Sequence, residues 1–458
     1  MQEQKISFRV PPGGIPNEER KISFRVQPGG KFCGEARVPG DKSISHRSIM
    51  LGSLAEGTTR VSGFLQAEDC LATMNAFRAM GVEIEGPVDG RITVHGVGLH
   101  GLKAPGEALY LGNSGTSMRL LSGLLAGQEF STVLTGDPSL SRRPMKRVTD
   151  PLRRMGANID TTEKGTAPLH IHGGARLKGM HYDMPVASAQ VKSCLLLAGL
   201  YAEGETSVTE PAPTRDHSER MLAGFGYEVK REGNRIGLRS GGKLTGRDID
   251  VPSDISSAAF FLVGASISEG GDVTLRHVGI NPTRTGVIDI LKLMGANLEI
   301  LNPREIGGEP VADIRVRSSR LHGIAIPEEL VPLAIDEFPV LFVAAACAEG
   351  ETRLTGAEEL RVKESDRIQV MADGLKILGI DAQPTPDGIV IQGGQLGSGR
   401  VDSHGDHRIA MAFSIAGLRA QGQIEIDDCA NVNTSFPIFV ELARSLGLNV
   451  TSSEGEIL

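Results

Sequence analysis

A six-residue phrase returns six times along this 458-residue chain: AMGVEI (79–84), RMGANI (154–159), GFGYEV (224–229), LMGANL (293–298), ILGIDA (377–382) and SLGLNV (445–450). Its glycines, Gly81, Gly156, Gly226, Gly295, Gly379 and Gly447, are 75, 70, 69, 84 and 68 residues apart. Each phrase closes an amphipathic stretch and opens an alternating one, which predicts a helix ending at a C′ glycine and turning into a strand. A second phrase keeps the same rhythm, as AEGTTRVSG (55–63), AGQEFSTVLTG (126–136), AEGETSVTE (202–210), SEGGDVTLR (268–276), AEGETRLTG (348–356) and AQGQIEIDD (420–428). Before each lies a helical stretch of small and apolar residues, for example 191–201, 258–267 and 340–348. These stretches are apolar on every side, so each is expected to be buried within its own unit. The chain therefore reads as six copies of an α/β unit of roughly 70 residues. An open array would need polar capping units and even linkers. Here the longest spacing falls between the fourth and fifth units with no Pro/Ser linker, so two globules of three units with the active site between them are expected.

Composition narrows the rest. Glycine supplies 58 residues against 14 Phe, 4 Tyr and no Trp, so the cores must use aliphatic side chains and close backbone approach. A 40% apolar and 23% charged chain is ordinary for a globular protein, and its apolar runs are about half the ~20 residues of a membrane span. The formal charge of −8 excludes broad attraction to nucleic acid or to anionic membrane, so an anionic ligand must be held by a local cationic cluster. Five cysteines without a CxxC pair, and no basic-then-apolar leader, point to a reducing, cytoplasmic setting. Near the start, KISFRVPPGG (5–14) recurs as KISFRVQPGG (21–30). One strand cannot be filled twice, so residues 1–20 read as a dispensable extension.

The chemistry gathers where each apolar helix begins: GDKSISHR (40–47), GNSGTSMR (112–119), ASAQVK (187–192), PSDISS (252–257), AIDEFP (334–339) and HGDHRI (404–409). A buried helix N-terminus carries free N–H groups and partial positive charge, and Lys42, Arg47, Arg119, Lys192 and Arg408 add full charges in the first turns. If the units are related by approximate symmetry, these starts converge on one cleft, which would take a small polyanion. The plainer alternatives are that Ser43, Ser114, Ser188 and Ser256 are helix caps, as serine usually is, and that Asp254, Asp336 and Asp406 cap as well. Asp336 beside Glu337 points further, to acid–base work at an anion site. Arg408 argues against a metal at His404, Asp406 and His407, and no P-loop is present.

Together GDKSISHR, NSGTSMR, LTGDPSLSRRPM, SAQVK, IDEFP, KESDR (363–367) and GDHR resemble the enolpyruvyl transferase family from about Ile22 to the C-terminus. The likeness is strongest to its shikimate 3-phosphate-using branch. GDKS (40–43), SAQVK (188–192), RDHSE (215–219) and NPTR (281–284) resemble the class II form of that branch. The resemblance implies an α/β, two-lobed fold of six βαβαββ units, three per lobe. It also implies chain crossings near Gly40 and Pro252, so that residues 41–252 form a continuous lobe and residues 1–40 with 253–458 a discontinuous one, with the site in the cleft. The implied reaction joins the enolpyruvyl group of phosphoenolpyruvate to the C5 hydroxyl of shikimate 3-phosphate and releases phosphate. No metal or organic cofactor is implied. The implied phosphoenolpyruvate residues are Lys42, Gly115, Arg143, Gln190, Arg367 and Arg408. Those for shikimate 3-phosphate are Lys42, Ser43, Arg47, Ser188, Ala189 through its backbone, Gln190, Arg215, Asp336 and Lys363. Asp336 is the implied base at the C5 hydroxyl, with Glu364 and Lys42 for proton traffic at C3. A monomer is expected, with no nucleic-acid or membrane partner and with glyphosate as an inhibitor.

Two positions depart from the family's patterns. Thr434 stands where class I members carry a lysine, so one phosphate contact must be supplied elsewhere or lost. Gly115 is glycine, as in herbicide-sensitive members, although the class II phrases point the other way. Two rivals to the shikimate reaction are the sister enzyme acting on UDP-N-acetylglucosamine, whose family uses a reactive loop cysteine, and a non-catalytic phosphoanion-binding protein. Large lobes about an anionic ligand predict closure on binding.

Overall fold

In the computed structural model, which describes residues 22–453, all six phrase glycines end a helix with positive φ, between 83° and 106°. At Gly81 the glycine N–H bonds Arg78 O at 3.0 Å, and the next N–H, of Val82, reaches back to Phe77 O at 3.1 Å. The other five repeat this pair of bonds, which satisfies carbonyls that a helix C-terminus otherwise leaves open. The helices so ended include Glu68–Ala79, Lys146–Arg154 and His217–Gly224 in one lobe and Gly286–Leu293, Arg367–Ile377 and Phe439–Ser445 in the other. The first copy of the N-terminal duplication lies outside the described residues.

Each unit also contains one inner helix: Lys42–Leu54, Gly115–Ala126, Ala189–Gly199, Ile255–Ile267, Phe338–Ala346 and His407–Ala416. The last three are buried along their whole length. The sequence leads one to expect each helix to be buried within its own unit; instead the three pack on one another, 338–346 against both 255–267 and 407–416. The reason is economy of apolar area: three helices apolar on all sides cover one another better than any single sheet can cover one of them. Helix Gly115–Ala126 packs likewise on Ala189–Gly199, and there a side chain would intervene. A Cβ on Gly123 would fall 2.0 Å from the Cys194 carbonyl oxygen, so the close approach requires glycine.

Six sheets wrap these helices, five of four strands and one of three. Two of them show how each lobe closes. Asp248–Asp250 runs parallel to Glu56–Ser62, pairing Ile249 with Val61, so the end of the continuous lobe supplies the first strand of its first unit. Phe24–Val26 lies between Ile424–Asp427 and Val450–Ser452, antiparallel to both, and completes the last unit from the other end of the chain. One hydrophobic core gathers residues between Ile44 and Val251, and the other joins Ile22–Val38 to residues between Ile255 and Val450. At the crossings the two passages pair with each other: Asp41 N–H donates to Pro252 O at 2.8 Å and Asp254 N–H to Pro39 O at 2.9 Å. No described helix is long and apolar enough to cross a membrane.

Gly123→Ala should lower unfolding free energy by about 1–3 kcal/mol, because the two inner helices must separate to admit a methyl group. Urea unfolding checks this; an unchanged midpoint would show that the helices move apart without cost.

Candidate active site

Five of the six inner-helix starts reach one cavity between the lobes. Its wall includes Lys42 and Ser43, Gly115, Thr116 and Arg119, Ser188 and Gln190, Asp336 ahead of the fifth helix, and His407 and Arg408 of the sixth. The helix caps sort differently from the plain reading. Ser114 and Ser188 do cap, accepting the N–H groups of Ser117 and Val191. Ser43 and Ser256 lie inside the first turn, and their helices are capped by Asp41 and Asp254. Asp406 caps the sixth helix at Arg408 N–H, whereas Asp336 precedes the fifth helix without capping it. The fourth start lies beside the cavity, where Asp254 Oδ2 accepts Lys42 N–H at 3.0 Å.

Arg143, Arg215, Lys363, Glu364 and Arg367 complete most of the expected set in this wall. Arg47 and Ala189 are outside it. Arg47 is buried behind Ser43, donating to the Ser43 carbonyl at 3.0 Å and to the hydroxyls of Ser218 at 2.7 Å and Ser193 at 2.9 Å. Lys192, whose first-turn charge invited an anion, does not face the cavity. It is fully buried, with Nζ 3.0 Å from Glu210 and 2.7 Å from Glu219. Thr434 is buried too and donates to Asn431 O at 2.7 Å, away from the cavity wall.

Asp69, Arg147 and Glu359, which the sequence does not mark out for binding, also line the cavity. Asp69 holds Lys42 Nζ at 3.0 Å. Arg147 donates from Nη1 to both oxygens of Glu359, at 2.9 and 2.7 Å, joining the lobes at the cavity. Arg119 donates to Gln190 Oε1 at 2.6 Å. His407, which the sequence offers only as a metal ligand, has both ring nitrogens buried and without a hydrogen-bond partner among the described residues. Burial, with Lys42 and Arg408 beside it, pushes its imidazole well below the ordinary value. Asp406, its neighbour, is committed to Arg367 at 2.8 Å. Ligand atoms of Glu83, Glu85 and His95 also come together, but on exposed or half-exposed residues outside the cavity.

Eight cationic and four carboxylate side chains line the cavity, an excess of four positive charges in a chain of net charge −8. The carboxylates already sit among them. Asp336 accepts from Arg215 and lies 3.4 Å from Lys363 and 3.3 Å from Arg367; burial would raise it, but Lys363, Arg215, Arg408 and Arg367 together hold it well below the carboxylate range. Glu364 is depressed in the same way against its own burial, by Arg367 at 2.6 Å and Arg143 at 3.5 Å. The arginines divide into two kinds. Arg367, held by Asp406 and Glu364, is shifted up despite its burial. Arg47 touches only neutral acceptors, and burial pushes it down to about 10; Arg119 is likewise at about 10 through desolvation and Arg143 beside it. A guanidinium of the second kind gains most from an incoming anion.

Lys192 serves the fold. Lys192→Met would leave Glu210 and Glu219 with only the longer Arg231 contacts, at 3.7 and 3.8 Å, and should cost about 3 kcal/mol of stability. Chemical denaturation measures this; a loss under about 1 kcal/mol would show that the pair relaxes to solvent.

Residues 26–442 match the family described as EPSP synthase (3-phosphoshikimate 1-carboxyvinyltransferase). A 3-phosphoshikimate 1-carboxyvinyltransferase of Methylococcus capsulatus is 75% identical over 453 residues, 99% of this chain and 100% of that protein. One from Alkalilimnicola ehrlichii is 70% identical over 424 residues, 92% of this chain and 95% of that protein. The solved EPSP synthase of Acinetobacter baumannii superposes with a TM-score of 0.85 at 65% identity, covering 94% of this chain and 100% of its own. The enolpyruvyl transferase NikO of Streptomyces tendae, at 16% identity, shares the fold with a TM-score of 0.75 over 94% of this chain and 99% of its own. By sequence along nearly its whole length, and by fold, the chain belongs to the EPSP synthase family.

Proposed function

We propose that this chain joins the enolpyruvyl group of phosphoenolpyruvate to the C5 hydroxyl of shikimate 3-phosphate and releases inorganic phosphate. The observation that carries this reading is the excess of four positive charges around Asp336 and Glu364 in one inter-lobe cavity. Two phosphates and two carboxylates, brought together, are the polyanion such a surplus suits. Shikimate 3-phosphate takes Lys42, Ser43, Ser188, Gln190, Arg215, Asp336 and Lys363, with the Ala189 backbone and Arg47 behind them. Phosphoenolpyruvate takes Lys42, Gly115, Arg143, Gln190, Arg367 and Arg408. Arg119 and Arg147 line the same cavity and supply charge where Thr434 cannot.

Catalysis then rests on positioning and charge. The C5 oxygen adds to C2 of phosphoenolpyruvate, C3 gains a proton, and the resulting tetrahedral ketal loses a C3 proton and phosphate. Asp336 takes the hydroxyl proton. Without substrate its carboxylate is too well neutralised to be a strong base, since four cations outweigh its burial. Substrate anions draw Arg215, Lys363 and Arg367 toward themselves, which returns basicity to Asp336 when the hydroxyl arrives. Glu364 and Lys42 carry the proton at C3. The ion pairs Arg147–Glu359, Arg143–Glu364 and Arg215–Asp336 all cross between lobes, so residues 41–252 close against the discontinuous lobe through the groups that hold substrate. We read the protein as a cytoplasmic monomer; its five free thiols agree with a reducing compartment.

The deciding assay is phosphate release from phosphoenolpyruvate with either acceptor. Release with shikimate 3-phosphate alone is expected; release only with UDP-N-acetylglucosamine would reassign the acceptor, and none with either would leave a binding protein. Among the described residues no cysteine lines the cavity, which weighs against the nucleotide-sugar enzyme's reactive thiol. Asp336→Ala should lose at least about 1,000-fold in turnover while phosphoenolpyruvate binding is largely spared; near-normal turnover would remove Asp336 from the mechanism. A Cβ on Gly115 would stand 3.1 Å from the guanidinium ends of both Arg119 and Arg143. Gly115→Ala should therefore weaken glyphosate inhibition by about tenfold or more and raise the phosphoenolpyruvate KM by less, because the inhibitor is the longer molecule. Equal effects on the two would refute that account.

A further inference from the structure

The reaction as described leaves Asn281, Arg284 and His217 without work, although NPTR and RDHSE are among the most distinctive phrases in the chain. None of the three lines the cavity. They meet instead at the two chain crossings. Arg284 is 3% exposed, and its guanidinium forks between the first inner helices of the two lobes. Nη1 donates to Asp41 Oδ2 at 2.8 Å; Nη2 donates to Asp254 Oδ1 at 3.0 Å and to Ser256 Oγ at 2.7 Å. Asp41 caps the helix that carries Lys42 and Ser43, accepting Ile44 N–H at 2.9 Å. Asp254 caps the helix of the opposite lobe and also accepts Lys42 N–H at 3.0 Å. The Ser256 hydroxyl donates to Glu337, next to Asp336 in the chain.

The same guanidinium touches a second bridge between the lobes. Its Nη1 lies 3.3 Å from His217 Nε2, and His217 Nδ1 lies 2.8 Å from Glu309. Asn281 donates to Asp216 at 2.7 Å and to Glu309 at 3.0 Å. GDKS, RDHSE and NPTR are therefore one contiguous object, and Lys192 of SAQVK joins it through Glu219. Asp41 and Asp254 belong to different lobes and would repel. A planar fork with two separate donors reconciles them and fixes the angle between them, which a single ammonium cannot do.

We propose that Arg284 is a positioning residue, the pivot that sets Lys42 and Ser43 of one lobe against Asp336 of the other. It touches neither substrate, and the proposal rests on the reaction assigned above. If it is right, an altered pivot misaligns the reacting groups while leaving the shikimate 3-phosphate contacts of the continuous lobe in place.

The test is Arg284→Lys, which keeps the buried positive charge and removes the fork. Steady-state phosphate release should show kcat reduced about 10- to 100-fold, the scale of a small misplacement, with the KM for shikimate 3-phosphate within about threefold of wild type. A purely structural or electrostatic role would let lysine rescue kcat, even at a lowered melting temperature. Wild-type kcat in folded Arg284→Lys would overturn the proposal. Should that variant fail to fold, Ser256→Ala removes one acceptor and leaves every charge in place. It should show the same split to a smaller degree, and wild-type kcat in it would overturn the pivot equally. The wild-type control separates the claims: no release from wild-type enzyme with shikimate 3-phosphate overturns the reaction, whereas normal wild-type turnover with an unimpaired variant overturns the pivot alone.

Discussion

A helix that is apolar on every side can be enclosed along its flanks but must still end somewhere. Six inner helices, the last three buried along their whole length, form the interior among the described residues, and the peptide N–H groups at their starts have no intrahelical partners. The fold answers locally with Asp41, Ser114, Ser188, Asp254 and Asp406 as caps, and collectively by bringing five of the six starts to a single cavity. The anion site follows from how the core is buried. Glycine makes this possible where backbones nearly touch, as at Gly40, whose Cβ would lie 1.9 Å from the Gly63 carbonyl oxygen at the crossing between lobes.

Concentrating cations in such a place has a cost that the carboxylates reduce. Asp336, Glu364, Asp69 and Glu359 each face a cation across the cavity, three of these pairs joining one lobe to the other through Arg215, Arg143 and Arg147. On the function proposed above, substrate anions would compete for those same cations. Binding would then exchange internal ion pairs for ligand ion pairs rather than create them anew. Such an exchange would temper affinity and free the acid–base groups only in the occupied site. The proposed role of Asp336 as a base needs this coupling, because its carboxylate is otherwise held far below the ordinary range.

Much of this was legible in the chain. The six glycine phrases fixed the unit and the way its helices end, because a C′ glycine with its two back-bonds is a local event. The helix starts pointed to an anion site, and most residues implied by family resemblance do line the cavity. What escaped was set by partners distant in sequence. Lys192 has the same first-turn placement as Arg408, yet Glu210 and Glu219, 18 and 27 residues away, take it into the core. Arg147 and Glu359 face each other across 212 residues, and no local signal marks that pair. The inner helices share one another's burial because an apolar helix does not specify which apolar neighbour covers it.

The buried arginines show how one residue type serves two ends. Arg284 and Arg367 lie among carboxylates that raise them above the ordinary range, so their charge is spent on holding structure. Arg47, equally buried, is ringed by two serine hydroxyls and a carbonyl, and desolvation lowers it to about 10. Its charge is held in place by groups that orient it without neutralising it. An anion arriving before Ser43 would supply what those neutral groups do not. The residue type cannot distinguish these roles, since all three are arginine; the sign of what surrounds each guanidinium does.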